Sequence, residues 1–150
     1  MLTNTQHKRD LRSDAGLASA LRVSLARLTR RLRRQAAAHS LTPTQFATLA
    51  AVEWHSGITP GELAELEKVQ PPSMTRVIAA LEERGLVART PHPTDRRQVT
   101  VTVTEAAEKL LKEERRRKEA WLTQRLKELS PAERSILRQA APILEKLSRI

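Results

Sequence analysis

The segment HPTDRRQV, residues 92–99, carries the charged side chains with the clearest chemical use in this chain. Asp95, Arg96 and Arg97 lie between two segments that both resemble β-strands, at what would be a solvent-exposed hairpin tip. Arginine donates bidentate hydrogen bonds to phosphate oxygens and to base edges. These residues therefore suit a partner outside the chain, although three charged loop residues taken alone also fit a solvated turn.

A second group of candidate residues lies in PPSMTRVIAALEERG, residues 71–85. Apolar residues recur there at helical spacing and predict a core-facing stripe formed by Met74, Val77, Ile78 and Leu81. The opposite face begins with hydroxyl and cationic groups at Ser73, Thr75 and Arg76, whereas the helix ends in Glu82-Glu83. A polyanion could approach only its first turns. Arg76 alone could be a solubilising residue, but beside two hydroxyls we interpret it as a base reader.

Composition limits the choice of partner. The chain has 150 residues, enough for one compact domain, and its 27 Lys and Arg against 17 Asp and Glu give a formal charge of +10. This balance favours nucleic acid or, second, an anionic membrane surface. Aromatic residues for stacking single-stranded bases are scarce, so duplex DNA is the better candidate. Without cysteine or an apolar run of the ~20 residues that a membrane span requires, we expect a soluble, cytoplasmic protein.

The remaining elements frame these two groups. Residues 1–14 predict a flexible arm, and a long basic amphipathic helix follows. Capping boxes at Thr42, Thr59 and Ser130 predict three further helix starts. The first of these helices is expected to bury Phe46, Leu49, Ala50 and Trp54, and the second Leu63, Ala64 and Leu66.

After Gly85 the pattern alternates over residues 86–90 and 99–104, which predicts two strands joined by the basic loop. The fold class is therefore mainly α with a small two- to three-stranded antiparallel sheet, arranged as a winged helix-turn-helix. A long helix from Glu105 and a last helix interrupted by Pro142 are apolar beyond what their own chain can cover. Helices of a second subunit are the economical explanation.

The run KEERRRKE, residues 112–119, permits two readings. It could be a nucleic-acid patch, but Glu113 with Arg117 and Glu114 with Lys118 stand at i, i+4 with the acid first. That spacing indicates the solvated middle of a long helix.

The blocks SMTRVIAALEERGLVAR and Asp95-Arg96-Arg97, followed by Thr104 at the next helix start, resemble the MarR (multiple antibiotic resistance regulator) family of transcription factors. The resemblance implies a DNA-binding domain at 42–104 and a helical dimerisation region at 15–41 and 105–150. It also implies a triangular homodimer that binds a near-palindromic operator, as a ligand-responsive repressor. By the family's pattern, Ser73, Thr75 and Arg76 contact the major groove.

In the wing, the resemblance implies that Arg97 enters the minor groove, that Asp95 orients it by a charge-assisted bond, and that Arg96 holds phosphate. It also brings Trp54 and His55 close to where related proteins bind an effector, often an aromatic acid. A core tryptophan beside a surface histidine is the alternative for that pair. With no tyrosine in the chain, little aromatic material is available for a phenolate pocket.

Other functional classes find little support. No Gly-rich phosphate loop or nucleophile motif is present, so we predict no enzyme and no cofactor. The four histidines, His7, His39, His55 and His92, are scattered without i, i+4 pairs, so we predict no metal site and interpret each as a surface residue. The rival from another class is a winged-helix interaction module that docks acidic protein or anionic membrane through its Arg-rich first helix.

Overall fold

The computed structural model describes residues 10–35 and 40–149, so most of the predicted N-terminal arm lies outside the described residues. The fold is mainly α with one small sheet, as predicted. The elements in chain order are α1 (Asp14–Arg33), α2 (Pro43–Trp54), α3 (Pro60–Leu66), α4 (Pro71–Glu83), β1 (Val87–Pro91), β2 (Val99–Val103), α5 (Glu105–Lys127) and α6 (Pro131–Ser148).

The three predicted capping boxes are confirmed. Thr42, Thr59 and Ser130 each accept a hydrogen bond from the backbone N–H three residues later, and the Gln or Glu at that position accepts one in return. Each box satisfies two backbone donors that the first helical turn leaves unpaired. The starts of α2, α3 and α6 are therefore fixed locally by the sequence.

The described residues fall into two compact units, one drawn from Met1–Ala36 and Lys118–Ile150 and the other from Ala37–Arg117. We call the second the winged unit and the first the terminal unit. The winged unit holds a continuous apolar core contributed by all of its helices and both strands. Its most deeply buried apolar residues are Leu49, Val52, Leu63, Met74, Ile78, Leu81, Val101, Ala107 and Leu111.

The sheet is a two-stranded antiparallel hairpin in which Val87 pairs with Val103 and Pro91 with Val99. A third strand is reduced to a single bridge between Ile58 and Val101. Gly85 turns the chain from α4 into β1 with a φ of 68°, a left-handed backbone conformation that residues other than glycine adopt only at a cost in conformational energy.

The terminal unit contrasts with this core. Neither α1 nor α6 contains a buried residue, and Pro142 lies inside α6 without ending it, contrary to the interruption predicted. Apolar side chains stay exposed along both helices, among them Leu17, Leu25, Leu28, Ile136, Leu137, Ile143 and Leu147.

Three burial predictions were wrong. Trp54 is 86% exposed at the C-terminal end of α2, and Leu66 is 47% exposed at the end of α3. Each is the last residue of its helix, and neither packs against the described core of the winged unit. Glu114, in contrast, is only 1% exposed, so the middle of α5 is not solvated on every side.

Candidate nucleic-acid interface

Helix α4 separates its side chains as its sequence predicts. Met74, Ile78 and Leu81 are buried in the core, and Val77 is half-buried against it. The side chains of Ser73, Thr75 and Arg76 are exposed in the first turns of the helix. The apolar stripe thus anchors α4 and turns its hydroxyl and cationic end toward solvent.

The N-terminus of α4 differs from the other helix starts described here. Gln70 is its N-cap residue but makes no side-chain capping bond, and Pro71 and Pro72 have no backbone N–H to offer. The Thr75 hydroxyl donates to the carbonyl of Pro71 at 3.0 Å. In this rotamer Thr75 can only accept a hydrogen bond from a base edge, such as the amino group of cytosine or adenine.

Two contacts secure the wing hairpin. The hydroxyls of Thr90 and Thr100 bond across the strands at 2.8 Å. The Arg89 guanidinium of β1 forms an ion pair with Glu82 of α4 at 3.0 Å, so the wing and α4 are joined directly.

The base of the hairpin is fixed through Thr104, the residue that precedes α5. Its hydroxyl donates to the carbonyl of Gly85 at 2.7 Å and accepts from the N–H of Ala107 at 3.3 Å. The Thr104 side chain therefore joins the end of α4 and the start of the wing to the first turn of α5.

At the wing tip, the Asp95 carboxylate accepts a hydrogen bond from the backbone N–H of Arg97 at 3.0 Å. The carbonyl of Asp95 accepts from the N–H of Gln98, also at 3.0 Å, which closes a tight turn. Asp95 thus orients Arg97 through its backbone and not through its guanidinium, since no ion pair joins the two side chains in this described loop. Sequence reasoning predicted the charge-assisted bond but not the atom that it reaches.

His92 is a residue that sequence reasoning missed. Its ring Nδ1 accepts hydrogen bonds from the backbone N–H groups of Thr94 and Asp95 at 3.3 and 3.2 Å, and the Thr94 hydroxyl lies 3.3 Å away. The backbone N–H of His92 donates to the carbonyl of Gln98 at 3.0 Å. The only signal in the sequence was the position of a histidine at the start of a seven-residue loop, within reach of several backbone donors.

The arginines of α4 and the wing tip differ from those of α5 in their partners. Across residues 10–35 and 40–149, no side-chain hydrogen bond or ion pair engages Arg76, Arg96 or Arg97. In α5, by comparison, Glu113 binds both Arg116 and Arg117, and these bonds lower the pKa of Glu113 to about 2. The arginines of KEERRRKE are therefore paired with carboxylates, Arg116 and Arg117 with Glu113 of the same helix and Arg115 with Glu53 of α2, whereas α4 and the wing present unpaired cations.

Helix α3 contributes an acidic group next to the wing. The backbone N–H of Thr59 donates to the Glu62 carboxylate at 2.9 Å and lowers its pKa, as does the Thr59 hydroxyl. The charge of His92 lowers the pKa of Glu62 to a smaller extent. Glu62 therefore stays ionised beside the wing loop.

Trp54 and His55, the predicted effector residues, are adjacent and both exposed at the end of α2. The neighbouring Glu53 carboxylate binds the Arg115 guanidinium through two bonds of 2.6 and 3.1 Å, which fixes this end of α2 against α5. Trp54 is thus an exposed aromatic side chain at a helix end whose backbone is fixed by the Glu53–Arg115 pair.

No cluster of His, Asp or Glu in the described part of the chain could hold a metal ion. Among the helices described, none has the length and apolar character needed to cross a membrane.

A helix-turn-helix with an exposed recognition helix and a basic β-wing defines the chain as a winged-helix transcriptional regulator. Residues 41–99 match the MarR family. The chain is 46% identical over 134 residues to an HTH-type transcriptional regulator of Mycobacterium bovis, covering 89% of this chain and 94% of that protein. The HTH-type transcriptional repressor MdtR of Bacillus subtilis is 30% identical over 73% of this chain and 68% of its own length.

Solved structures agree with the sequence relatives. A MarR family protein from Bacillus stearothermophilus superposes with a TM-score of 0.76 at 25% identity, covering 91% of this chain and 95% of that one. This chain belongs to the MarR family of transcriptional regulators.

Proposed function

We propose that the protein is a homodimeric, sequence-specific repressor that binds a near-palindromic operator in duplex DNA. The observation that carries the proposal is the set of three unpaired, exposed arginines on α4 and the wing, beside the neutralised arginines of α5. Unpaired guanidinium groups are free to bind phosphates and base edges without first breaking an internal ion pair. A chromosomal operator would locate its action in the cytoplasm.

Each site residue receives a role from its position. Ser73, Thr75 and Arg76 read the major groove from the first turns of α4, with Thr75 as an acceptor. Arg97 enters the minor groove, where the negative potential is concentrated, and Arg96 holds phosphate. Asp95 keeps the backbone of Arg97 in place.

The terminal unit supports the dimer. Large apolar side chains stay exposed along α1 and α6 and give the terminal unit an apolar surface of the kind that marks an interaction site. A second copy of the same helices would cover it symmetrically, giving a dimerisation region at 15–41 and 105–150 around a DNA-binding domain at 42–104. Two recognition helices would then meet successive major grooves, about 10 bp apart.

Ligand response is the finer part of the proposal. Trp54 and His55 offer an exposed aromatic face beside an imidazole, which suits a small aromatic or anionic effector. A ligand that binds one spacing of the two DNA-binding units better than another would shift the population toward it and release the operator.

The test is the ratio of affinities for duplex DNA from upstream of the protein's own gene and for a shuffled duplex, at physiological salt. We expect a preference of ~10³ or more. A ratio near one, with binding that disappears as salt rises, would contradict sequence-specific regulation. Pelleting with anionic vesicles would then test the rival, in which the Arg-rich α1 docks on a membrane.

A further inference from the structure

We propose that His92 is the positioning residue of the wing, and that its unprotonated Nδ1 holds the DNA-binding arginines in place. The inference rests on the proposed role of the wing in DNA binding. It concerns a histidine that the sequence pattern presents as an ordinary surface residue. The structure instead makes its ring an acceptor for the backbone of the loop.

The first step is the geometry of the acceptor. Two backbone N–H groups, of Thr94 and Asp95, point at the same ring nitrogen from 3.3 and 3.2 Å. A backbone N–H can only donate, so Nδ1 must present its lone pair. The ring is therefore the tautomer that carries its proton on Nε2, because a proton on Nδ1 would make that nitrogen a donor facing two other donors.

The second step connects the ring to the arginines. The His92 Nδ1 accepts a hydrogen bond from the backbone N–H of Asp95. The Asp95 carboxylate accepts one from the backbone N–H of Arg97, and the Asp95 carbonyl accepts one from the backbone N–H of Gln98. The backbone N–H of His92 donates to the carbonyl of Gln98 and completes a closed network of hydrogen bonds. Fixing this loop before DNA arrives reduces the conformational entropy that binding must remove.

The charges around the ring define its response to pH. Glu62 faces it from α3, Asp95 follows it in the loop, and the cationic Arg96 and Arg97 lie further along the same loop. Protonation would add one positive charge, which favours DNA, but would remove the acceptor that orders the loop. We expect the loss of order in the wing loop to lower DNA affinity more than the added charge raises it.

Three variants separate positioning from charge and bulk. In His92→Asn, the amide oxygen can occupy roughly the place of Nδ1 and accept the same bonds, whereas in His92→Gln the amide reaches toward Nε2. We expect His92→Asn to bind the preferred duplex within about 2-fold of wild type. His92→Gln and His92→Ala should each lose about 5- to 10-fold, the equivalent of one hydrogen-bonded contact. Equal affinities in all three variants, or equal losses, would overturn the proposal.

A pH series adds a readout that a purely structural role would not move. On acidification from pH 8 to pH 6, the affinity of wild type for the preferred duplex should fall relative to that of His92→Asn. Both proteins retain His7, His39 and His55, so the ratio isolates His92. A ratio that stays constant, or that rises for wild type, would overturn the proposal.

Amide hydrogen exchange of the free protein keeps the failure of this inference distinct from failure of the proposed function. We expect the amides of Thr94 and Asp95 to exchange faster in His92→Gln than in wild type or His92→Asn. Unchanged exchange would overturn the positioning role even if DNA binding is specific. Altered exchange in a protein with no DNA preference would contradict the proposed function and, with it, the role of His92 in DNA binding.

Discussion

The winged unit and the terminal unit bury their apolar residues to different extents. In the winged unit, α2, α3, α4 and the hairpin bury Leu49, Leu63, Met74 and Leu81 against one another. In the terminal unit, α1 and α6 bury nothing, and Ile143 is 66% exposed. The winged unit thus has a buried core within one chain, whereas the terminal unit leaves its apolar side chains exposed to solvent. This difference supports our proposal that the winged unit reads DNA and the terminal unit assembles the dimer.

The largest expected effect comes from making the α6 stripe polar. Ile136→Gln combined with Ile143→Gln should prevent the dimer and reduce operator affinity by at least about 100-fold, because two linked DNA-binding units gain from effective concentration. Ala141→Gln, on another face of α6, should leave the oligomeric mass and the operator affinity unchanged. Light scattering measures the mass and DNA titration the affinity. A double variant that remains fully dimeric would contradict the assignment of assembly to this stripe.

Truncating one leucine of each unit, the buried Leu81 and the exposed Leu147, separates folding from assembly. Leu81→Ala should lower the free energy of unfolding by about 2–5 kcal/mol at any protein concentration. Leu147→Ala, in contrast, should lower the midpoint of thermal unfolding most at high protein concentration, where the wild type is stabilised by dimer formation, and least at low concentration, where neither protein is dimeric. Thermal unfolding over a hundredfold concentration range tests this. A concentration-independent effect of Leu147→Ala would remove the contrast between the units.

Arg76→Ala should weaken operator binding by about 1–3 kcal/mol and relax the preference at one base position. Lys112→Ala removes the same charge from the exposed middle of α5 and serves as the control. We expect little change there, because that run is interpreted as a helix surface. Equal losses of Arg76→Ala on operator and random DNA would mean that Arg76 contacts only phosphate. A large loss in Lys112→Ala would restore the alternative nucleic-acid patch.

Arg97→Ala should reduce the slope of log affinity against log salt by about 1, since one cationic contact to the DNA is lost. The measurement is a series of binding isotherms over a fourfold range of salt concentration. An unchanged slope would indicate that the wing tip stays in solvent.

The smallest effect concerns the neutralised arginines of α5. Hydrogen bonds from Arg116 and then Arg117 lower the pKa of Glu113 to about 2, below its ordinary value. Its contribution to stability is therefore present above about pH 4.3 and is lost as the pH falls through about 2. Comparing wild type with Glu113→Gln by thermal unfolding should give a small difference at pH 7 that shrinks toward pH 2. A difference that grows on acidification would contradict the ion pairs.

The sequence predicted what depends on local spacing. Capping boxes defined where α2, α3 and α6 begin, and the stripe of Met74, Ile78 and Leu81 predicted the buried face of α4. Alternation of β-branched residues predicted both strands. Each of these signals lies within one helix or one strand, so no knowledge of distant residues was needed.

The errors arose where burial depends on a neighbour from elsewhere in the chain. Trp54 and Leu66 continue an apolar pattern to the last residue of a helix, but nothing in the pattern says whether another element reaches that far. Glu114 is polar in sequence, yet α5 buries it. His92 and Thr75 were incompletely described because their hydrogen bonds run to backbone atoms, which the identity of the residues does not specify.

Hydroxyl-radical footprinting on the preferred duplex would show whether two winged units bind one operator and whether the terminal units join them. We expect two symmetric protected segments about 10 bp apart, with one protein dimer bound per duplex. The double variant Ile136→Gln with Ile143→Gln should protect neither segment at the same concentration. A single protected segment with one chain bound, or uniform protection along the duplex, would contradict binding as a dimer to a two-part operator.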